Sequence, residues 1–159
     1  MIGILSDTHD KVDAMRAAIA ELRHAGSEFY IHCGDVGTER IVDLFAGLPG
    51  ALIWGNNDWE RASLDRYAKS VGVSSYGDFA DLILDGKRFA VVHGDDLGFQ
   101  EKLLRDQQYD YLLHGHTHLR RDDRFGRTRI INPGALYRTR EKSVAVLDTS
   151  KDLLKFFVV

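Results

Sequence analysis

Cysteine and proline are scarce in this sequence of 159 residues, which contains one cysteine and two prolines. A single cysteine excludes a disulfide within the chain, which is typical of proteins of the reducing cytoplasm, where we expect this protein to act. No apolar run is long enough to span a bilayer. The apolar segment Ile2–Leu5 is too short for a secretory signal and lacks its basic flank. We therefore expect a protein without a membrane partner.

An excess of basic residues is also missing, because the formal net charge is -3 at pH 7. This charge argues against a protein that coats nucleic acid by bulk electrostatics. The stretch Arg120–Lys142 is the exception, with eight basic against three acidic residues. Two interpretations stay open: a surface neutralised by salt bridges, and a basic rim for an anionic substrate. The second interpretation would also allow a nuclease.

Apolar runs alternate with helical patterns in the first third of the chain. We predict strands at Ile2–Leu5, Phe29–Cys33 and Ala51–Trp54, with one helix in each of the two intervals and Asp10 as the N-cap of the first helix. This β-α-β-α-β order predicts parallel strands with right-handed crossovers.

The later part of the chain has strand patterns with few helices between them. Asp85-Gly86 is a strong hairpin dipeptide, and a short helix is predicted around residues 99 to 104. The predicted strands are Phe79–Leu84, Arg88–His93, Tyr111–His114, Arg129–Asn132, Ser143–Asp148 and Leu153–Val159. We predict antiparallel pairing in this part, and one α/β domain over residues 1 to 159.

Residues that can bind metals follow five of the predicted strands. All of them are aspartate, asparagine or histidine. The carboxyl ends of parallel strands lie along one edge of a sheet, where ligands of open α/β folds bind. The sequence therefore predicts one site built from Asp7, His9, Asp35, Asn56, His93, His116 and His118.

Each of these motifs is ambiguous on its own. A lone Asp-x-His or Gly-Asp is more often a cap or a turn, and His93 could be a hydrogen-bonded core histidine. The segment His116-Thr117-His118 is stronger, because alternation in an extended segment would place both imidazoles on one side. Five motifs in this order are far more specific than any one of them.

The order of these motifs resembles that of the calcineurin-like metallophosphoesterases: Asp7-x-His9, Gly34-Asp35, Gly55-Asn56, His93-Gly94 and Gly115-His116-x-His118. The His-Gly-His-Thr-His segment at residues 114 to 118 is similar to that of the small bacterial and archaeal phosphodiesterase branch. The resemblance implies a two-sheet β-sandwich flanked by helices, in four layers (α/β/β/α), with a dinuclear metal site. It implies that one metal is bound by Asp7, His9, Asp35 and His118, and the other by Asp35, Asn56, His93 and His116.

Two divalent ions would outweigh the charges of Asp7 and Asp35 and leave a site of about +2, which attracts phosphate. The expected nucleophile is a metal-bridging hydroxide, so no catalytic serine or cysteine is needed. Cys33 is accordingly predicted to be a small buried apolar residue. Imidazole, carboxylate and amide ligands favour two transition-metal ions, with manganese expected first and iron, cobalt, nickel or zinc as alternatives.

Asn57 departs from a pattern common in this family, in which a histidine follows the ligand asparagine. An amide cannot act as a general acid, whose help is typically worth ~10²–10⁴ in rate. It can still donate a hydrogen bond to the substrate phosphate, and we predict this contact for Asn57. The small phosphodiesterase branch often lacks the histidine as well. We therefore predict hydrolysis of a phosphodiester in a small phosphorylated substrate.

Several alternatives stay open. The same site could serve a phosphomonoesterase or a pyrophosphate-cleaving hydrolase, and a eukaryotic retromer scaffold subunit shares the family fold. A scaffold is free to lose metal ligands, whereas this chain has all seven. Self-association and a nucleic-acid substrate are also open. Four further residues stand beside ligands and could orient them, although a cap or turn is favoured for the first two: Asp10, Asp58, Asp95 and His114.

Overall fold

The computed structural model describes residues 1–159 and contains four α-helices and ten β-strands. In chain order they are β1 (Ile2–Leu5), α1 (Val12–His24), β2 (Phe29–His32), α2 (Glu39–Phe45), β3 (Gly50–Leu52), α3 (Arg61–Ser70), β4 (Phe79–Leu84), β5 (Lys87–Val92), α4 (Leu97–Asp106), β6 (Tyr111–Leu113), β7 (Arg120–Phe125), β8 (Thr128–Pro133), β9 (Ser143–Asp148) and β10 (Leu153–Val158).

The strands form two five-stranded sheets, in the orders β10-β9-β1-β2-β3 and β4-β5-β6-β8-β7. The strands β1, β2 and β3 are parallel, as predicted. The predicted antiparallel pairing in the later part is confirmed for β4–β5 and β9–β10. The pairs β7–β8 and β1–β9 are also antiparallel, although neither was predicted. The prediction is wrong for β6, which runs parallel to both β5 and β8. The reason is that α4 forms a crossover between β5 and β6, and β7 intervenes between β6 and β8.

Three apolar clusters define four layers. One packs α1, α2 and α3 on the outer face of the first sheet, around Met15, Phe45 and Trp54. A second fills the space between the sheets, and a third packs α4 against the outer face of the second sheet around Leu103 and Leu112. The expected helix-flanked β-sandwich is therefore confirmed. The one cysteine, Cys33, lies fully buried in the central cluster, as predicted.

Two elements were not predicted. The strand β7 has the sequence RRDDRF, whose charges hide any alternation, and it lies at a sheet edge where charged side chains are common. The helix α3 buries only Leu64 and Ala68. The predicted N-cap of α1 is wrong, since Lys11 occupies that position and the Asp10 carboxylate instead accepts hydrogen bonds from Thr38 and Arg40. No helix has the length and apolar character needed to cross a bilayer.

Candidate metal centre

The loops that follow β1, β2, β3, β5 and β6 meet at one edge of the sandwich. Backbone hydrogen bonds join them directly: Asp7 N donates to Gly34 O over 3.0 Å, and His9 N donates to Asp35 O over 2.9 Å. Gly115 N donates to His93 O over 2.9 Å. The convergence expected from the strand-end pattern is therefore present in the backbone itself.

Five of the predicted ligands have a left-handed backbone, with φ between 45° and 65°: Asp7, His9, Asp35, His116 and His118. A non-glycine residue in this region costs of order 1–3 kcal/mol, and such residues cluster at functional sites. The extended geometry expected for residues 116 to 118 is therefore wrong. Two left-handed turns, rather than strand alternation, orient these imidazoles.

Glycines beside the ligands allow the loops to approach closely. A Cβ on Gly115 would clash with Ser6 Oγ and with the carboxylate of Asp7, and a Cβ on Gly55 would clash with the carboxylate and backbone nitrogen of Asp35. Any side chain at either position would displace a predicted ligand.

Two groups of three side chains bring metal-binding atoms within 4.8 Å of one another, and both contain Asp7. The first adds His9 and His118, with His118 Nε2 at 3.2 Å and His9 Nε2 at 4.0 Å from Asp7 Oδ1. The second adds Asp35 and His93. Asp35 Oδ2 lies 3.3 Å from both His9 Nε2 and His93 Nε2 and so stands between the two groups.

The remaining two predicted ligands lie beside the second group. His116 Nδ1 is 3.1 Å from Asn56 Oδ1, and the His116 ring packs edge-on against His93 with the ring centroids 5.2 Å apart. The backbone nitrogen of His116 also donates to Asp7 Oδ2 over 3.1 Å. All seven predicted residues are therefore brought together.

Three polar atoms at the centre of this cluster are buried and have no hydrogen-bond partner: Asp7 Oδ1, His9 Nε2 and His93 Nε2. Buried polar atoms are almost always paired, because leaving one unpaired costs about 1–3 kcal/mol. A carboxylate oxygen and two imidazole nitrogens, divided between the two groups, suit two divalent cations, which together would satisfy all three atoms. The residues therefore fit the metals that the sequence predicts.

Neighbouring groups hold two of the candidate ligands in position. His93 Nδ1 is 2.8 Å from the Cys33 carbonyl, which, with the proton on Nδ1, leaves Nε2 free to face the cluster. Asn57 donates to both oxygens of Asp35, from its backbone nitrogen over 2.9 Å and from Nδ2 over 2.8 Å. The phosphate contact predicted for Asn57 stays a prediction, whereas its contact with Asp35 was not foreseen.

The pKa shifts describe a site with a surplus of negative charge. Burial raises the pKa of Asp7. Burial opposes ionisation of Asp35 too, but the His93 imidazole 3.3 Å away and hydrogen bonds from Asn57 outweigh it and hold the pKa of that carboxyl well below its usual range. Burial would lower the pKa of His93, yet the carboxylates of Asp35 and Asp7 raise it to about 9. The two carboxylates thus favour a positive charge on His93, at the place where cations are expected.

Asp58 was interpreted as a turn or cap residue, but its carboxylate is 1% exposed and joins two loops of the site. It accepts hydrogen bonds from the backbone nitrogens of Val36 and Gly37, after β2, and of Gly55, after β3. Its position directly after Asn56-Asn57 was the available signal. Burial raises its pKa despite these three bonds.

His32, which the sequence did not single out, supports the loop that carries two ligands. It is buried, and its Nε2 lies 2.6 Å from Thr8 Oγ1, between Asp7 and His9. Burial lowers the pKa of His32 to about 3. A second buried histidine, His114, packs beneath the last histidine motif, where burial lowers its pKa to about 4.

The basic stretch Arg120–Lys142 divides into two parts. Its first five arginines, up to Arg129, are all paired with carboxylates, which supports the interpretation of a salt-bridged surface there. Arg138 has no ion pair and lies over the ring of Tyr137, 5.2 Å from its centroid. That ring is 5.1 Å from the His9 ring. A basic rim at the site is thus limited to the end of the stretch.

Comparison with known proteins agrees with this geometry. A model of the calcineurin-like phosphoesterase superfamily domain matches residues 1–152. A phosphodiesterase of Methanocaldococcus jannaschii is 34% identical over 155 residues, which cover 94% of this chain and 93% of that protein. The structure of an archaeal phosphodiesterase superimposes with a TM-score of 0.91 at 31% identity, over 99% of each chain.

More distant structures share the fold alone. A zinc complex of the sorting protein Vps29 from Entamoeba histolytica has a TM-score of 0.65 at 15% identity, over 99% of this chain and 97% of that one. The family match and the close relative establish that the chain belongs to the calcineurin-like phosphoesterase superfamily, a family of metal-dependent hydrolases of phosphate esters.

Proposed function

We propose that this protein is a phosphodiesterase with a dinuclear centre of divalent transition-metal ions, manganese first among them. The ligands are Asp7, His9, Asp35, Asn56, His93, His116 and His118. The observation that carries the proposal is the cluster of three buried, unpartnered ligand atoms on Asp7, His9 and His93. The relative that is 34% identical is named a phosphodiesterase, which supports the same reaction.

When bound, the two ions supply Lewis acidity to the phosphoryl oxygens and an activated water as nucleophile. The chain's own residues position the reaction. Asn57 holds both oxygens of Asp35, which fixes a carboxylate that would help to hold the ions. The side-chain amide of Asn57 donates one N–H to Asp35. Its second N–H is left to donate to a phosphate oxygen.

The preference for diesters follows from the lack of a general acid at position 57. A diester carries one negative charge, and an activated alcohol can leave from it without proton donation. A monoester with a poor leaving group depends more on proton donation. His114 cannot substitute, because it is buried and its pKa is lowered to about 4 by burial. Diesters with good leaving groups are therefore the best substrates expected.

Two assays test the proposal. Purified protein should contain close to two transition-metal ions per chain by elemental analysis. It should hydrolyse bis(4-nitrophenyl) phosphate with manganese faster than it hydrolyses 4-nitrophenyl phosphate. A faster monoester reaction would favour the phosphomonoesterase alternative, and absence of metal even after loading would favour the scaffold.

Ligand variants test the site. Asp35→Ala and His116→Ala should each abolish diester hydrolysis while circular dichroism still shows the folded state. Arg121→Ala is the matched control, because Arg121 pairs only with Asp123 on the surface. Full activity in both ligand variants would refute the assignment.

A further inference from the structure

Trp59 lies beside the proposed catalytic site with its side chain in solvent. It is 85% exposed, whereas the other tryptophan, Trp54, is 1% exposed and donates a hydrogen bond from Nε1 to Asp65. Tryptophan combines a large apolar face with a single donor, and an isolated exposed one contributes little to folding. Its position two residues after Asn57 therefore indicates a role in ligand binding.

The loop that carries Trp59 is firmly held. Asp58 is buried and accepts three backbone hydrogen bonds. Arg61 donates from Nε to Asp58 O over 3.2 Å and from Nη2 to Gly55 O over 2.8 Å. The exposure of Trp59 is therefore not the result of a loose loop. The backbone carbonyls on both sides of it, of Asp58 and Glu60, accept hydrogen bonds, whereas the side chain itself stands in solvent.

The indole ring forms one wall of a cleft of about 570 Å³, and Asn57 forms part of the same cleft. This size is within the range of small-molecule sites. Because Asn57 is bonded to Asp35, a substituent of the reacting phosphate that extends past Asn57 enters this cleft and meets the indole ring.

The charges of the cleft limit what can occupy it. Glu39 and Glu60 line it, and the one lining cation, Arg40, already pairs with Asp10 at 3.3 Å. A second phosphate would be repelled by these carboxylates. A neutral planar ring with N–H donors would instead stack on the indole and donate to a glutamate.

We propose that Trp59 is a stacking platform for the nucleobase of a nucleoside phosphodiester, which makes nucleotide esters the substrate class of this enzyme. The proposal rests on the proposed phosphodiesterase function. Stacking of a base on an aromatic side chain tolerates all bases, since each has a π face. Trp59 therefore sets preference for nucleotides over simple alkyl esters and does not select one base.

Fluorescence tests binding without any turnover. The Trp59 signal is the difference between the wild type and Trp59→Phe, and AMP and ribose 5-phosphate are the probes because they differ only by the base. AMP should quench this signal saturably, and ribose 5-phosphate at the same concentrations should not. Equal quenching by both probes, or quenching by neither, would overturn the proposal.

Inhibition of methyl 4-nitrophenyl phosphate hydrolysis tests the same contact in the enzyme with its metals. Trp59→Ala should raise the Ki of AMP about 5- to 100-fold and leave the Ki of ribose 5-phosphate within twofold. Trp59→Phe should restore most of the AMP affinity, and Phe125→Ala, an exposed aromatic on the β7–β8 hairpin, should change nothing.

The two proposals fail in different ways. Absence of diester turnover in the wild type would refute the phosphodiesterase, whereas unchanged Ki values in Trp59→Ala would refute the nucleobase platform alone. A Trp59 shielded from acrylamide, in a dimer that Trp59→Ala dissociates, would identify the indole as a contact between two copies and would also overturn the platform.

Discussion

Two clusters of charged side chains lie at opposite ends of β1, and they differ in how their charges are balanced. At the far end, Arg129 is 9% exposed and donates to Asp122 from Nε and Nη2, both over 2.8 Å, and to Asp152 from Nη1 over 2.7 Å. Tyr111 donates to Asp152 as well. At the metal centre, Asp7 Oδ1 and two imidazole nitrogens have no partner.

The difference separates a structural cluster from a functional one. Both contain two carboxylates, and burial disfavours charge in both. The far cluster contains its own cation, because Arg129 lowers the pKa of Asp152 although burial opposes this. The metal centre has only histidines, which are weak cations and good ligands. Under the proposed function a bound cation supplies the remaining compensation, and the geometry of the site then serves binding more than stability.

The largest expected effect is loss of activity in Asp7→Asn. The amide keeps the shape of the side chain but lacks the charge that both ligand groups share, so kcat/KM for bis(4-nitrophenyl) phosphate should fall by more than the ~100-fold typical of substitutions around a metal site. Asp122→Asn, the matched change in the far cluster, should retain activity within about twofold. Comparable losses of kcat/KM in both variants would contradict the distinction between the two clusters.

The next effect concerns stability in the presence of metal. At a free manganese concentration 100 times the Kd of a site, the free energy of unfolding should rise by about 2.7 kcal/mol for each ion bound, relative to the chelated protein. Asp7→Asn should show almost none of this gain, and Arg129→Met should show all of it. Urea unfolding with manganese or with a chelator measures the difference. An undiminished gain in Asp7→Asn would place the metal elsewhere.

Arg129→Met should act in the opposite sense, on stability and not on catalysis. Removing one member of a buried ion pair can cost 3–5 kcal/mol, but Asp122 and Asp152 are 38% and 42% exposed, so screening reduces the expected loss to about 1–2 kcal/mol. Urea unfolding of the chelated protein measures it. Activity per folded molecule should be unchanged, and a large loss of kcat would show that the two ends are coupled.

The smallest effect is a pH dependence of the free energy of unfolding, which at mildly acidic pH comes from His32 beside the candidate metal centre. Burial lowers the pKa of His32 to about 3. The unfolded chain therefore binds a proton at His32 as pH falls through 6.5, whereas His32 stays neutral in the folded chain. The contribution of neutral His32 to stability is complete above pH 6.5. It is lost as pH falls below 6.5, at up to about 1.4 kcal/mol per pH unit.

The far cluster responds only at lower pH. The pKa of Asp152 is lowered, so its contribution to stability is present above pH 3.8 and disappears as pH falls through the folded-state value.

Urea unfolding of the wild type and His32→Gln at pH 6.5, 5.8 and 5.0 tests the role of His32. The free energy of unfolding should change less steeply with pH in the variant. Parallel slopes would contradict a buried neutral His32.

Much of the fold was predicted from short-range patterns, and the failures have physical causes. Apolar runs marked nine of the ten strands because at least one face of each of those strands is buried or, in β10, partly buried. The edge strand β7 needs no apolar side, since its pairing with β8 follows from the two-residue turn at Gly126-Arg127. The parallel pairing of β6 was missed because strand direction depends on what connects the strands, and periodicity does not record it.

The site shows the same division. The types and order of its candidate ligands were predictable from the sequence, since residues able to bind metals form an unusual pattern after apolar strands. The roles of Asp58 and His32 were not, because the hydrogen bonds that join them to other loops of the site span 21 to 24 residues of sequence. The left-handed turns at His116 and His118 were also missed, because the local sequence His-Thr-His is compatible with a strand.

The amino-acid sequence alone was sufficient for the family, the seven candidate ligands and the strand ends that carry them, because residue chemistry and apolar periodicity are local properties. Only the tertiary structure decided which atoms face one another without a partner, which carboxylates are already neutralised by Arg129, and that Trp59 stands in solvent beside Asn57. Burial and pairing depend on groups that are distant along the chain, and those are the properties that separate the metal end from the far end.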